Sequence, residues 1–194
     1  NAVVQTSGDK DYFYGAVGRV SVFKPVVHGN QWSVARMKLI NEGDFIEAGW
    51  MVNPSLYKDS EAHFYARFNH EDDGNWWLSI DSDNKLVGYW PNTLFVRSLD
   101  EVASQVEWGG EIDNPESDHT PPPYMGSGLS PRDDTKFSAF YCQIQVATSP
   151  SIYEHNPMPT KIYQECDSDG YRTSDVGYQG DFWGRLIFFG GPFA

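Results

Sequence analysis

Short segments in which apolar and polar residues alternate make up most of this chain. Val20 and Val22, for example, alternate with Arg19 and Ser21, which is the period of a half-buried β-strand. Alternation, or a run of aromatic and β-branched residues between turn sequences, predicts further strands at residues 31–40, 45–52, 63–68, 75–81, 85–91, 137–146, 162–166 and 182–189. Many short strands separated by turns predict an all-β protein built as an antiparallel β-sandwich.

Two adjoining strands, residues 31–40 and 45–52, are predicted to form a hairpin, because the NEGD sequence between them supplies Gly43 for the turn. Pro54 should end the second strand, since proline cannot donate to a strand ladder. Only residues 92–106 carry apolar side chains at helical spacing, with Ser98 as the N-cap candidate. The sequence therefore predicts at most one short helix.

The composition and net charge of the chain argue against nucleic-acid and membrane partners. The chain has 194 residues and carries 27 Asp and Glu against 14 Lys and Arg, a formal charge of −13. An acidic surface repels nucleic-acid phosphates and anionic lipid head groups. No segment reaches the roughly 18 consecutive apolar residues of a membrane helix. We therefore expect residues 1–194 to form a single domain with no nucleic-acid and no membrane partner.

Two glutamates stand within otherwise apolar strand sequences. Glu47 lies in FIEAGW and shares a strand face with Gly49, and Glu111 lies in EWGGEI and shares a face with Gly109. A glycine beside each carboxylate would let a substrate backbone approach closely. Two partly desolvated carboxylates in one cleft could divide the roles of general acid and general base. The alternative is that both are surface glutamates and that the glycines form a bulge.

No metal or cofactor site is predicted. The five histidines are dispersed without metal-ligand spacing, and neither HExxH nor CxxC occurs. Residues 167–170, DSDG, resemble the start of a calcium loop, but the rest of such a loop does not follow. The two cysteines, Cys142 and Cys166, form either one disulfide or two unrelated buried thiols. The Trp-rich sequences NWW and GYW form either a sugar-binding platform or part of the core.

Several motifs, in order along nearly the whole chain, resemble the plant neprosin family. The resemblance rests on AVVQT (2–6), YFYGAVGRVSVFKPVV (12–27), IEAGW (46–50), NPSLY (53–57), HFYARF (63–68), GNWWLSI (74–80), LVGYWPNTLF (86–95), WGGEI (108–112), MGSG (125–128) and GRLIFFGGP (184–192), with Gln31 and Ser33.

The resemblance implies a fold and an activity. Family members have a concanavalin-like antiparallel β-sandwich, and the founding member is a glutamic peptidase that cleaves after proline at acid pH without a metal. Its catalytic glutamates correspond to Glu47 and Glu111, the same two residues that the strand faces single out. We assign the neighbouring aromatic and glycine residues of these motifs to substrate binding: Trp50, Tyr57, Trp108, Gly49 and Gly109.

The resemblance also implies a biological setting. The chain is expected to be a monomer that is secreted to an acidic extracellular or vacuole-like compartment after removal of a signal peptide and a propeptide. Its substrate is expected to be a peptide or protein, with proline-rich sequences as candidates.

One departure from the family pattern falls between Asn69 and His70. There relatives carry a stretch of roughly 40 residues, equivalent to several strands, and this chain does not. Either the protein lacks this stretch, or the natural protein carries it between Asn69 and His70 and the chain described here joins the two sides. A true loss would expose a sheet edge. A non-catalytic, lectin-like or cell-wall-associated binding module is therefore the alternative to a peptidase.

Overall fold

The structure, a computed structural model, describes residues 1–6, 12–69, 75–80, 85–91, 94–95, 99, 102–115, 120–150, 152–157, 160–164 and 170–193. Within these residues the chain forms thirteen strands and two single-turn helices. They are β1 (Ala2–Thr6), β2 (Gly15–Val20), β3 (Trp32–Asn41), β4 (Asp44–Val52), α1 (Pro54–Tyr57), β5 (His63–Asn69), β6 (Trp76–Ile80), β7 (Lys85–Trp90), β8 (Gln105–Asp113), β9 (Ala139–Ser149), β10 (Ile152–Glu154), β11 (Thr160–Gln164), β12 (Arg172–Tyr178), α2 (Gly180–Trp183) and β13 (Arg185–Gly190).

The strands pair into two stacked sheets and a separate hairpin. The larger sheet has six strands in the order β11-β1-β8-β3-β4-β5. The second sheet has the order β10-β9-β13-β12, with β2 paired to β9, and β6 pairs only with β7. Every pairing between these strands is antiparallel. The prediction of an all-β antiparallel sandwich is confirmed.

The hydrophobic core lies between the inward faces of the two sheets. In the six-stranded sheet those faces carry buried side chains such as Ala35, Trp50 and Trp108. In β9 the inward positions are Ala139 and Tyr141, and then Ile144 and Val146. The phase of the alternation shifts because Gln143, with φ +53°, inserts one residue into the strand.

The β3–β4 hairpin confirms the predicted turn. Glu42 and Gly43 connect the two strands with φ values of +51° and +122°, and left-handed backbone at both turn residues matches the twist of the flanking strands. Asn41 pairs with Asp44, so each residue of β3 faces a definite partner on β4. This register places Lys38 opposite Glu47 and Arg36 opposite Gly49.

The helices lie where the sequence does not predict them. Asn53 caps α1, since its side chain accepts a hydrogen bond from the Leu56 N–H at 3.1 Å, and Pro54 fits the first turn. In the predicted helical region, Ala103 forms an isolated bridge with Phe13 and β8 begins at Gln105, so that part is extended. Much of residues 92–101 lies outside the described residues. Neither described helix is long and apolar enough to cross a membrane.

Candidate active site

The outward face of the six-stranded sheet collects the charged residues that the strands carry. Side chains alternate along each strand, so the register determines which residues share this face. We call it the glutamate face; it comprises Val34, Arg36 and Lys38 of β3, Glu47, Gly49 and Met51 of β4, Tyr65 and Arg67 of β5, and Glu107, Gly109 and Glu111 of β8.

Glu47 is buried on this face, with 1% of its surface exposed. Its Oε1 accepts hydrogen bonds from the Tyr65 hydroxyl at 2.9 Å and from Arg67 Nε at 2.6 Å. Its Oε2 makes no hydrogen bond with a described residue. The nearest cationic atoms to Oε2 are Arg36 Nε at 3.8 Å and Lys38 Nζ at 3.9 Å. One oxygen is therefore anchored, and the other can receive a hydrogen-bonding partner.

Glu111 stands on the other side of Arg36. Its Oε2 accepts a hydrogen bond from Arg36 Nε at 2.7 Å, and its Oε1 lies 3.9 Å from Arg67 Nη2. One fifth of its side chain is exposed. Since the Oε2 atoms of Glu47 and Glu111 both lie within 3.8 Å of one Arg36 nitrogen, the structure brings the two sequence-predicted glutamates together. The two arginines bracket the pair.

The charges of this cluster compensate one another, because three carboxylates (Glu47, Glu107 and Glu111) face three cations (Arg36, Lys38 and Arg67). Burial lowers the pKa of Arg36, but the attraction of Glu107, Glu111 and Glu47 outweighs it and raises the pKa above its ordinary value. Arg36 therefore stays charged although it is 2% exposed. Burial, and then repulsion by Arg36, lower the pKa of Lys38.

Tyr65 stays a hydrogen-bond donor to Glu47. Burial raises the pKa of its phenol well above the ordinary value, and the negative charge of Glu47 and the hydrogen bond to it add to this. The side chain also belongs to an apolar cluster beside the glutamates, which we call the apolar wall; its members are Trp32, Val34, Met51, Tyr57 and Tyr65. Tyr57 stacks on His63 with ring centroids 4.1 Å apart.

The predicted substrate-binding residues divide between the two faces of the sheet. Tyr57 lies in the apolar wall beside the glutamates. Trp50 and Trp108 lie on the opposite face in the core. Trp50 donates a hydrogen bond from Nε1 to the Ser21 carbonyl oxygen at 2.9 Å, and Trp108 is fully buried. The structure therefore does not bring these two tryptophans to the glutamates, because residues adjacent in a strand point to opposite faces.

Gly49 and Gly109 lie on the glutamate face, but not as open space for a substrate. A Cβ at position 49 would collide with the Ala35 carbonyl oxygen, and a Cβ at position 109 would collide with the Ala2 carbonyl oxygen. Gly109 also has φ +152°. The close approach that requires glycine here is that of the neighbouring strands. The same register leaves Arg36 with a glycine directly opposite on each side.

Five charged or phenolic residues of this face are not predicted from the sequence: Arg36, Lys38, Tyr65, Arg67 and Glu107. A signal for the β3 residues was present: a two-residue turn after Asn41 places Lys38 opposite Glu47 and Arg36 opposite Gly49. The position of Glu107 beside Arg36 has no local signal in the sequence, because it depends on the pairing of β8 with β3. These strands lie some seventy residues apart, as in Arg36 opposite Gly109.

The structure describes one of the two cysteines that could form a disulfide. Cys142 is buried and has no disulfide to a described residue, and burial raises the pKa of its thiol. Cys166 lies outside the described residues. Both alternatives, the disulfide and two separate thiols, therefore remain predictions.

The part of the chain that the structure describes contains no group of three or more His, Cys, Asp and Glu side chains that could hold a metal ion. Among the three glutamates, the Arg36 guanidinium occupies the position between the carboxylates.

A cavity of about 570 Å³ lies on the other side of the sheet, between the sheets and the β6–β7 hairpin. Met37, Leu39 and Ile46 line one side of it, and Trp76, Trp77 and Trp90 contribute aromatic rings. Trp76 is buried, and its Nε1 donates to the Leu99 carbonyl oxygen at 2.7 Å. Trp77 is 62% exposed and packs on Tyr89. The NWW and GYW sequences therefore supply both core residues and exposed aromatic rings.

The chain matches the model of a known protein family. The family model described as Neprosin matches the chain in two segments, residues 29–73 and residues 67–192. Together the segments include β3 to β5 and β8, which carry Arg36, Glu47, Arg67 and Glu111. The segments overlap at residues 67–73, around the point after Asn69 where the sequence predicts a missing stretch.

Proposed function

Because the chain belongs to the neprosin family, whose membership suggests peptidase activity, we propose that it is an endopeptidase of the glutamic type. Glu47 and Glu111 are the proposed catalytic pair. The observation that carries this proposal is that an Oε2 atom of each lies within 3.8 Å of the same Arg36 nitrogen, on an outward face of the sheet. Acid–base hydrolysis needs one ionised and one protonated carboxyl group, and we assign these two roles to the pair.

In the proposed reaction the ionised carboxylate removes a proton from a water molecule while the water oxygen attacks the scissile carbonyl carbon. The protonated carboxyl donates a hydrogen bond to the carbonyl oxygen, which stabilises the developing negative charge. As the carbon–nitrogen bond breaks, this carboxyl transfers its proton to the leaving amine. The first carboxyl has gained the proton of water, so the pair again holds one proton. Activity should be highest at acid pH, where one member of the pair is protonated.

The apolar wall supports the finer proposal of a preference for proline. It lies on the same face as the glutamates, and Tyr65 belongs to both, since its ring packs with Met51 and its hydroxyl donates to Glu47. A proline ring is apolar and packs favourably on aromatic rings. A peptide crossing the face could therefore place a proline on the wall and the following bond at the carboxylates.

The proposal is tested by digesting a proline-containing peptide between about pH 2.5 and pH 7 and reading the cut sites by mass spectrometry. Glu47→Gln and Glu111→Gln should each lower the rate by roughly a hundredfold or more. The matched control is Glu154→Gln, which makes the same change at an exposed position in β10 and should keep full activity. A fully active Gln variant at either position 47 or position 111 would overturn the carboxylate pair.

The setting of the activity belongs to the same proposal. A peptidase that is most active at acid pH suits an acidic extracellular or vacuole-like compartment, with a peptide or protein substrate and a monomeric enzyme. The proposed missing stretch after Asn69 is checked by the intact mass of the natural protein. A mass of 22.0 kDa would support a true deletion, and several kilodaltons more would contradict it.

A second candidate function, a non-catalytic binding module, is favoured by the cavity of about 570 Å³ between the sheets. Trp77, on its rim, offers an exposed ring of the kind on which sugars stack. Saturable glycan binding, monitored by tryptophan fluorescence and lost in Trp77→Ala, together with no peptide cleavage at any pH, would favour this function over the peptidase.

A further inference from the structure

A third carboxylate, Glu107, takes part in the charge cluster and is buried. It is 7% exposed. Its Oε2 accepts from Arg36 Nη1 at 2.9 Å, and its Oε1 accepts from Gln105 Nε2 at 2.8 Å. Both oxygens are therefore engaged by the protein itself. Lys38 is its cross-strand neighbour on β3.

Glu107 and Glu111 flank the guanidinium of Arg36. They lie on the same face of β8 on either side of Gly109, and Gly109 is directly opposite Arg36. Two nitrogens of the guanidinium bind the two carboxylates: Nη1 donates to Glu107 and Nε donates to Glu111. A planar guanidinium held at one end by a carboxylate has a fixed orientation at the other end. Here that other end lies between Glu111 and Oε2 of Glu47.

We propose that Glu107 is a positioning residue of this site, which acts through Arg36 by orienting the guanidinium between Glu47 and Glu111. The proposal rests on the proposed function of Glu47 and Glu111, and it adds a residue that neither the family match nor the sequence pattern identifies. Glu107 itself does not contact the reacting atoms.

The charged and titratable groups around Arg36 come from five strands. The carboxylates are Glu47, Glu107 and Glu111, the cations are Lys38 and Arg67, and the phenols that interact with Arg36 are Tyr65 and Tyr141. Arg36 Nη2 also donates to Asn1 Oδ1 at 3.2 Å. Within this set Glu107 places a third negative charge beside Glu47 and Glu111, and like charges in one cluster oppose each other's ionisation.

The sign of the effect follows directly. Neutralising Glu107 removes a negative charge that repels those of Glu47 and Glu111, so the pair should lose its proton at a lower pH. Neutralising Arg36 removes the attraction itself, so the pair should hold its proton to a higher pH. The two changes therefore shift the activity profile in opposite directions, which a general loss of packing would not do.

The experiment compares pH profiles of kcat and KM for the wild type, Glu107→Gln, Glu107→Asp, Arg36→Gln and Arg36→Lys, with thermal unfolding to confirm that each variant folds. Glu154→Gln is the control, because it removes the same charge from an exposed position. In parallel, carbon-13 NMR of labelled glutamate carboxyl groups follows the titration of Glu47 and Glu111 without requiring turnover, with assignments from the Gln variants.

The expected results are specific. In Glu107→Gln the high-pH limb of activity and the NMR titration both move down by at least about half a pH unit. In Arg36→Gln both move up, and Glu107→Asp restores the wild-type position. Arg36→Lys keeps the charge but loses the fork, so kcat should fall by about tenfold or more with little change in KM. Glu154→Gln should match the wild type.

Other outcomes would overturn the inference or the function separately. Unchanged titration and activity profiles in Glu107→Gln would overturn the role of Glu107 while leaving the peptidase proposal intact. If the wild type cleaves no peptide, but the NMR titration of Glu47 and Glu111 shifts as expected in the variants, the peptidase proposal is overturned. The effect of Glu107 on the two glutamates then still stands. If Glu107→Gln does not fold, full kcat in Arg36→Lys would overturn the positioning of the guanidinium.

Discussion

Gly49 and Gly109 show how the absence of a side chain can serve the site indirectly. Each lies directly opposite Arg36, and a Cβ at either position would collide with the backbone of the neighbouring strand. The sequence analysis correctly places both glycines on the face of the glutamates. Their role differs from the predicted one because close approach of the neighbouring strands, rather than access of a substrate, uses the space.

Gly49→Ala should therefore destabilise the fold. The added methyl group has to push strand β3 away, and overpacking of this kind costs about 1–3 kcal/mol of the free energy of unfolding. Urea unfolding measures the change. Gly88→Ala in β7 is the control, because a Cβ there meets no atom within 4 Å. Equal stability of the two variants would contradict the close approach seen at Gly49.

Trp50 and Trp108 show that residues of one sequence motif can lie on opposite faces of the sheet. Both stand beside residues of the glutamate face in the sequence, and both point into the core. Sequence adjacency to a catalytic candidate therefore predicts the wrong face whenever the residue lies one position away in a strand. Tyr57 reaches the glutamate face because it lies at the end of a helix instead.

At the scale of elements, helix α1 matters because it carries Tyr57 to the apolar wall. Asn53 caps the helix through its side-chain oxygen, and Pro54 ends strand β4 as the sequence predicts. The helix itself was not predicted, since a four-residue turn leaves no apolar periodicity in the sequence. Its formation depends on the cap and on packing of Tyr57.

Asn53→Ala should lower the free energy of unfolding by about 1 kcal/mol, because it removes the N-cap acceptor. It should also raise KM for a proline-containing peptide, in the same direction as Tyr57→Ala but by less. Stability is measured by denaturant unfolding and KM by peptide digestion. Asn53→Asp keeps the acceptor and should behave like the wild type. A KM that changes in neither Asn53→Ala nor Tyr57→Ala would remove α1 from substrate binding.

Strand β9 shows a second effect at this scale. Alternation correctly predicts a strand in this region, but the left-handed Gln143 shifts its phase, so Tyr141 and Ile144 both point to the core. The register between β9 and β2 shifts at this bulge. The sequence of β9 alone cannot show it.

At the scale of the whole molecule, burial of charged and phenolic groups ties stability to pH. Burial raises the pKa values of Tyr65 and Tyr141 above the ordinary value, and the charge of Glu47 adds to the effect at both. Above about pH 10 unfolded tyrosines lose their protons, while these two keep theirs in the folded protein. The unfolded state then binds fewer protons, so the free energy of unfolding falls as pH rises.

The expected slope is about 1.4 kcal/mol per pH unit for each tyrosine above about pH 10. Tyr65→Phe should remove one such contribution and make the alkaline decline shallower, although it also removes a hydrogen bond to Glu47 and lowers stability at neutral pH. Lys38, whose pKa is lowered by burial, acts in the opposite direction and only below about pH 10. Denaturant unfolding between pH 9 and pH 12 would test this, and an unchanged slope in Tyr65→Phe would contradict it.

Local patterns in the sequence account for the class of fold, the β3–β4 hairpin and the face on which Glu47 and Glu111 lie. These follow from short-range rules: alternation within a strand, the residues of a two-residue turn, and the strand-ending effect of proline. The resemblance to the neprosin family, carried by motifs along nearly the whole chain, agrees with the family match.

The residues that surround those glutamates are brought there by the pairing of strands in the sheet. Arg36 lies between them because β8 pairs with β3, and Tyr65 and Arg67 reach Glu47 because β5 pairs with β4. Glu107 joins the cluster through the same β3–β8 register. These contacts depend on the pairing of strands that are distant in the sequence. The alternation of residues within one strand does not show which strand it pairs with. The chemistry proposed for this protein therefore arises from residues that the sequence displays separately and the sheet brings together.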